Sequence, residues 1–525
     1  MEQRFLRSLL LPSAYPEQTG AVELVQTHVS YIFLTDRFAY KVKKPVDLGF
    51  LNFSTLDRRR FYCNEEVRLN SRLCPHIYLG VVEIREAGGG ASFAGTGRII
   101  DYAVKMKRLP ADRMLDRLVA AGKISENEIR VIARVIGEFH LRAERGSEIN
   151  GYGSIETIRA NWEENFRQTR RFEGDTLSRR DQRLMEEWVD RFIGDNAEIF
   201  ARRVAGGFIR DCDGDLHMGN TCLDTDGGIC IFDCIEFTPR FRCGDTAADI
   251  AFLLMDFDVN RRPDLCGPFL DEYIRTTGDG GVTEILDFYK TYRACVRGKV
   301  ESMRLLDPQI PQGEKEAARE RARRYFRLAR GYIARQTLPP SLILTCGPTG
   351  SGKSFLAREL AFDLGLETAG SDVVRKELTG LAPTERRRDR YAEGIYSDAA
   401  TVRTYEELYR RAERALAAGR GIIVDATFRR RADREAFRRL AARHGARFHL
   451  LHAICPEETI RRRLEAREKQ GDEVSDGRWD IYLLQKGEFE VPSAGEAGVI
   501  RIDTSKPVTE MLDGLLDAMG ILPCG

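Results

Sequence analysis

The spacing of apolar and polar positions changes character several times along this chain. Between residues 22 and 43 it predicts strands: Val29 to Leu34, a turn at Asp36-Arg37, then Phe38 to Lys43. A helical pattern follows from Thr55 to about Leu73, with Ser54 as its cap. Ile77 to Ile84 and Ile99 to Met106 are strand-like again. After Pro110 the period becomes that of amphipathic helices, near 125–145, 155–170 and 177–203. An irregular segment, Asp211 to Asn220, precedes two short strands, Thr221 to Leu223 and Ile229 to Phe232, joined by Asp-Gly-Gly. Helical spacing then dominates from Thr246 to about Gln336. The charged stretch Gly313 to Arg330 reads as a solvated helix, and Pro339-Pro340 ends it. Beyond that point short apolar runs (around Ile343, Ile422 to Asp425, Phe448 to Ile454, Val499 to Asp503) alternate with helices. That alternation predicts a doubly wound parallel sheet. The pattern implies an α+β domain over 1–305, a helical linker over 306–340 and an α/β domain over 341–525.

Composition narrows this picture by exclusion. A chain of 525 residues holds two to four domains. Charged residues make up 31% of it, yet the net charge is only +1, so no global field argues for a nucleic-acid or membrane partner. No apolar run approaches the roughly 20 residues of a membrane span. The 12 cysteines show no CxxC pair and no ligand spacing, and are expected as reduced, mostly buried thiols of a cytoplasmic protein.

The sharpest chemistry is Gly347-Pro348-Thr349-Gly350-Ser351-Gly352-Lys353-Ser354. It follows the apolar run Leu342-Ile343-Leu344-Thr345 and opens a helix, the context that a phosphate-binding P-loop requires. The glycines let backbone N–H groups wrap a phosphate and the helix N-terminus adds positive field. Lys353 reaches the outer phosphates, and Ser354 offers its hydroxyl to Mg²⁺. Three features narrow the reaction. Asp425 ends an apolar strand, the expected second carboxylate on the Mg²⁺ side. Asp372 and Arg375 stand three apart at the head of a helix, placed so that one accepts a hydroxyl proton and the other holds an anionic group. Arg463 and Arg467 are one turn apart, as in a lid whose arginines close on the transferring phosphate. Residues 341–520 thereby resemble the P-loop kinase group that includes polynucleotide 5′-kinases, zeta toxins and gluconate-type kinases. Arginines are dense at 386–388, 429–431, 438–439 and 461–463, but acids are interleaved and no aromatic series accompanies them.

A second constellation lies upstream. In Asp213-Gly214-Asp215-Leu216-His217-Met218-Gly219-Asn220, followed by a hairpin ending in Asp233, an Asp, an Asn five residues on and a later Asp have the layout of phosphoryl transfer. This resembles the aminoglycoside-phosphotransferase branch of the protein-kinase-like fold over residues 20–305. The resemblance implies Asp215 as base, Asn220 and Asp233 as Mg²⁺ ligands, and Asp249 as a brace of the loop. It also implies a phosphate-binding lysine, Lys41 ahead of Lys43, paired with Glu66. Two positions depart from the family: Asp213 stands where the loop usually has His, and no glycine-rich loop precedes Lys41.

The whole chain thus resembles bacterial fusions of these two kinase types. It is read as an ATP- and Mg²⁺-dependent phosphotransferase with two nucleotide sites and a hydroxyl-bearing small acceptor, without a membrane partner. Two alternatives stay open: a nucleotide-binding regulatory protein with a non-catalytic first domain, and a kinase for nucleic-acid 5′-hydroxyl ends.

Overall fold

The computed structural model describes residues 3–49, 51–223, 228–308, 310–381, 394–470, 477–493 and 495–521. The Asp-Gly-Gly turn and the arginines at 386–388 lie wholly or partly outside these residues. The chain divides into two compact units, Met1–Phe326 and Arg327–Gly525, and the dividing line falls inside the helix Gln312–Thr337.

The first unit begins with six antiparallel strands: β1 (Glu23–Gln26), β2 (Ser30–Leu34), β3 (Phe38–Lys43), β4 (Tyr78–Ala87), β5 (Gly90–Ser92) and β6 (Ile99–Lys107). Their order is β1-β2-β3-β6-β4-β5. Alternation along β3 sets its two faces. Tyr40 and Val42 enter a core with Phe33, Ile84 and Ala103, so Lys41 and Lys43 share the opposite face. Helix α1 (Leu56–Asn70) carries Glu66. Its cap is Thr55, whose hydroxyl accepts from the Arg58 N–H at 3.3 Å. Ser54, the expected cap, bonds the Asn52 carboxamide instead.

Helices follow, among them α2 (Glu126–Arg142), opened by a reciprocal Ser125–Glu128 capping box. Short strands then frame the loop: β7 (Ile209–Asp211), the hairpin β8 (Thr221–Leu223) and β9 (Ile229–Ile231), and β10 (Cys243–Asp245), which pairs with β7. Helix α3 (Thr246–Val259) is apolar around most of its surface and correspondingly buried, and it holds Asp249 and Asp256. Helix α4 (Val282–Arg304) packs beside it.

In the second unit five parallel strands, β11 (Ser341–Cys346), β12 (Glu367–Gly370), β13 (Ile422–Asp425), β14 (Arg447–Ile454) and β15 (Val499–Asp503), take the order β12-β13-β11-β14-β15. Central β11 is buried along its whole length. That explains its unbroken apolar character, because helices cover both faces of such a sheet. Around it stand α5 (Lys353–Leu364), α6 (Ser371–Leu378), α7 (Asp398–Ala417), α8 (Arg431–Arg443), α9 (Glu457–Gln470) and α10 (Trp479–Glu488). The two fold classes are those expected: α+β first, doubly wound α/β second.

One expectation is corrected. Cys74 and Cys230, read as separate thiols, form a disulfide across 156 residues, with Cα atoms 5.1 Å apart. Both lie in an apolar cluster with Ile77, Tyr78 and Val104, which brings the segment after α1 against β9 within bonding range. Cys63, Cys212, Cys234, Cys243, Cys295, Cys346 and Cys455 are free thiols. No described helix is long and apolar enough to cross a membrane.

Candidate functional sites

In the first unit both lysines of β3 point at α1. Lys41 Nζ lies 2.8 Å from Glu66 Oε1, and Lys43 Nζ lies 2.6 Å from Glu66 Oε2, so one carboxylate serves two ammoniums. Lys41 also pairs with Asp233, and Lys43 with Glu236. Glu66 is fully buried and Lys43 is 1% exposed. Burial would depress the Lys41 ammonium, but Asp233, Glu66 and Glu236 hold it charged well above its ordinary range. Burial likewise pushes Glu66 up, and the two ammoniums outweigh it, leaving its carboxyl at about 2. Glu236 goes the other way: burial and the Glu66 charge raise it. Asp233 has a positive φ of 66°, which Asp tolerates better than most residues, and its N–H donates to Tyr78 Oη at 3.2 Å. Glu236 escaped the sequence reading. Its one signal was an acid three residues past Asp233 at the exit of an apolar hairpin.

The loop 213–220 is held from below. Both oxygens of Asp249 are used, accepting from the Asp213 N–H at 3.2 Å and the Gly214 N–H at 2.8 Å. His140 Nε2 lies 3.1 Å from Asp249 and its Nδ1 lies 2.8 Å from Tyr273 Oη. Gly214 has φ 87°, and a Cβ there would stand 2.7 Å from the Phe241 carbonyl, so only glycine fits. Asn220 Nδ2 donates to Asp215 Oδ2 at 3.0 Å, and His217 Nε2 faces the same oxygen at 3.6 Å. Burial pushes Asp215 up, but the neighbouring His217 outweighs it, and Asp215 sits below the ordinary carboxylate range. Asp213, accepting the Asp215 N–H at 3.1 Å, sits well above that range through burial and the charges of Asp249 and Asp215. The acid in place of the usual His is therefore itself the perturbed group.

In the second unit Lys353, Ser354, Asp372, Arg375 and Asp425 all line one cavity of about 1060 Å³. Asp425 ends β13 opposite Thr345 of β11, and the Thr345 hydroxyl donates to its Oδ1 at 2.6 Å. Arg375 is buried and committed: Nη1 donates to the Ile395 carbonyl at 2.9 Å and to Thr401 Oγ1 at 3.2 Å, and its guanidinium lies over Tyr396. Phe428, fully buried with φ 44°, turns the chain after β13 so that Arg429 and Arg430 reach the cavity. Its N–H donates to Tyr405 Oη at 3.1 Å, one of the contacts that hold the strained residue.

Arg463 and Arg467, expected at the transferring phosphate, are not among the residues lining the cavity. Arg463 is drawn behind the loop: Nη1 donates to Thr504 Oγ1 at 3.0 Å and Nη2 to the Thr504 carbonyl at 2.6 Å. Thr504 Oγ1 donates in turn to the Ser351 carbonyl at 2.6 Å. A Cβ on Gly352, φ 88°, would stand 2.7 Å from Thr504 Oγ1, so this glycine lets the brace sit against the loop. Oxygen donors suited to Mg²⁺ are present at both sites, Ser354 with Asp425 and Asn220 with Asp233. Those of the first are already engaged, Asn220 with Asp215 and Asp233 with Lys41.

One family match falls within the second unit. A family described as an AAA domain matches residues 342–492. A sugar kinase from Janibacter sp. HTCC2649 overlaps 35% of this chain and 97% of its own, at 21% identity and TM-score 0.28. Aminoglycoside 2′-phosphotransferase-IIIa overlaps 62% of this chain and 99% of its own, at 13% identity and TM-score 0.37. Uncharacterized protein Mb2027c of Mycobacterium bovis is 34% identical over 421 residues, 80% of this chain and 81% of its own. Uncharacterized protein Rv2004c of Mycobacterium tuberculosis matches with the same figures, 34% over 421 residues. The chain, whose second unit carries the AAA-domain match, belongs to the family of these mycobacterial proteins.

Proposed function

We propose that this protein is an ATP- and Mg²⁺-dependent phosphotransferase acting on a hydroxyl of a small metabolite or sugar. The observation that carries the proposal is the convergence of Lys353, Ser354, Asp372, Arg375 and Asp425 on one cavity. Lys353 and the loop N–H groups bind the outer phosphates, and an Asp372 carboxylate oxygen takes the proton of the acceptor hydroxyl. Arg375, fixed by Ile395 and Thr401, orients an anionic group without having to be ordered first. Ser354 and Asp425 would hold Mg²⁺, whose charge draws in the phosphate oxygens when bound. Asp398, Glu406 and Asp433 line the same cavity as Arg410, Arg429 and Arg430, a mixed wall that suits a polar small molecule better than a polyanion. Burial raises the Asp433 carboxyl above its ordinary range, outweighing the neighbouring Arg430 and Arg429.

In the first unit the same reading assigns Asp215 as base, Lys41 and Lys43 to phosphate, and Asn220 and Asp233 to the metal. The second reading, a nucleotide-binding but non-catalytic first unit, is favoured by one observation: Lys41 and Asp233 are bonded to each other. The functional units are taken as 1–305 and 341–525, joined by 306–340, in the ATP-supplied cytoplasm.

The test uses γ-labelled ATP with a panel of sugars, small alcohols and 5′-hydroxyl oligonucleotides. Lys353→Ala is expected to lower label transfer to the second unit's acceptor by at least about 100-fold. Asp215→Ala is expected to remove any transfer that survives it, by about 100-fold or more. Turnover unchanged in both variants overturns the proposal; loss with Lys353→Ala alone selects the non-catalytic first unit.

A further inference from the structure

The loop end of the second cavity is already occupied by a side chain. Thr349, third residue of the phosphate loop, donates its backbone N–H to Gln485 Oε1 at 2.8 Å. A backbone N–H only donates, so the carbonyl end of the amide must face it. Gln485 stands on α10, where Ile481, Gln485 and Glu488 recur at helical spacing and all line the cavity. Glu488 pairs with Arg429 across it. Tyr482, next to this face, packs with Ile460 and Leu464 of α9 and stacks on Trp479, with ring centroids 5.0 Å apart. Gln485 therefore reaches the loop from a seated helix.

We propose that Gln485 is an internal competitor of nucleotide: its side-chain carbonyl stands in for a phosphate oxygen at the Thr349 N–H and is displaced when a nucleoside di- or triphosphate binds. The inference rests on the nucleotide-binding reading of this loop. An N–H in a phosphate loop is held out for an acceptor, and leaving it without one in a partly buried setting carries a penalty. Gln485 supplies that acceptor while no phosphate is present, which keeps the loop ordered and lowers its affinity for phosphate by the strength of one hydrogen bond. Displacement also ties α10, through Gln485, to the state of the loop. The residue thus sets how tightly nucleotide is held and links that step to the helix carrying Glu488 and, through it, to Arg429.

Calorimetric titration of the full chain with ADP tests this, with no acceptor and no turnover. The ADP-binding step that Lys353→Ala removes is the loop's own step, separate from any binding in the first unit. For that step Gln485→Ala is expected to bind ADP about three- to tenfold more tightly than the parent chain. Gln485→Asn, one methylene too short to reach Thr349, is expected to do the same and keeps the test alive if the alanine variant does not fold. A residue that merely lines the cavity or touches the nucleotide gives unchanged or weaker binding on truncation, and that result in both variants overturns the proposal. If Lys353→Ala removes no ADP-binding step, the nucleotide reading of the loop falls first and takes this one with it.

Discussion

In the first unit Lys41 and Lys43 each meet two carboxylates, Glu66 and Glu236 buried and Asp233 partly exposed. In the second, Lys353 stands with Asp372 and Asp425 on the wall of a cavity of about 1060 Å³. Both places hold residue types that bind and transfer phosphoryl groups, but the work required of a ligand differs. On the proposed reading, phosphate entering the first site would have to exchange with the Asp233 carboxylate at Lys41, an ion pair with one partner buried. On the same reading, phosphate entering the second would displace one neutral amide, Gln485, from the Thr349 N–H. Burial makes the first network strong and costly to disturb; openness makes the second loop receptive. The contrast teaches that a motif fixes which groups are present, while burial and neighbours fix whether they are available.

Glu66→Gln should break this comparison most severely. It removes the carboxylate shared by two buried lysines, and breaking a buried pair costs about 3–5 kcal/mol. Denaturant unfolding followed through Trp162 and Trp188, both in the first unit, should show that loss, whereas ADP affinity at the P-loop should not change. The effect has a pH signature. The folded carboxyl lies at about 2, below its ordinary value of 4.5, so its stabilisation is complete above 4.5 and disappears as pH falls towards 2. The parent chain should lose stability across that window, and the variant should lose less. An equal acid slope in both would mean that Glu66 is not the group being protonated.

Arg463→Ala gives a smaller effect on the other side of the comparison. The guanidinium holds Thr504, which holds the Ser351 carbonyl of the loop. Loss of charge-assisted bonds worth about 1.5 kcal/mol or more should weaken ADP binding roughly tenfold. A brace moves ground-state binding, whereas a lid arginine moves turnover and leaves ADP affinity alone. Unchanged ADP affinity with reduced turnover would return Arg463 to the lid.

How far the sequence could be read follows the same physics. The parallel sheet was legible because β11 and β13 are buried on both faces and so are continuously apolar. The P-loop, Asp425, Asp372 and Arg375 were legible because local geometry dictates their spacing, and the cavity collects them. Glu66 was legible as a partner for Lys41, but its sharing with Lys43 depends on how α1 approaches β3, which no local pattern encodes. Glu236, Gln485 and Thr504 were not legible for the same reason: each acts on residues far away in the chain. The bonds of Arg463 to Thr504 were not legible, because a basic helix face looks alike whether it meets a phosphate or a threonine. Cys74 and Cys230 are 156 residues apart, and only the packing of β9 against the segment after α1 brings them together.

Asp213→Asn should give the smallest effect and bears on whether the first site is spent or merely closed. Asp213 is 1% exposed, and burial with the charges of Asp249 and Asp215 raises it well above its ordinary 3.8. The folded unit therefore prefers its neutral form. That preference stabilises below 3.8 and is lost as pH rises through the folded value. Asparagine is neutral at every pH and keeps an oxygen for the Asp215 N–H, now at 3.1 Å. At pH 8 the variant's first unit should be more stable than the parent by about 1 kcal/mol, and near pH 4 the two should coincide. A neutral residue 213 would show that this position serves as an acceptor for the loop backbone, leaving Asp215 as the charged acid beside Asn220. If Asp213→Asn instead destabilises the unit at pH 8, the charge at 213 is needed there, and the first site carries two ionised acids and not one.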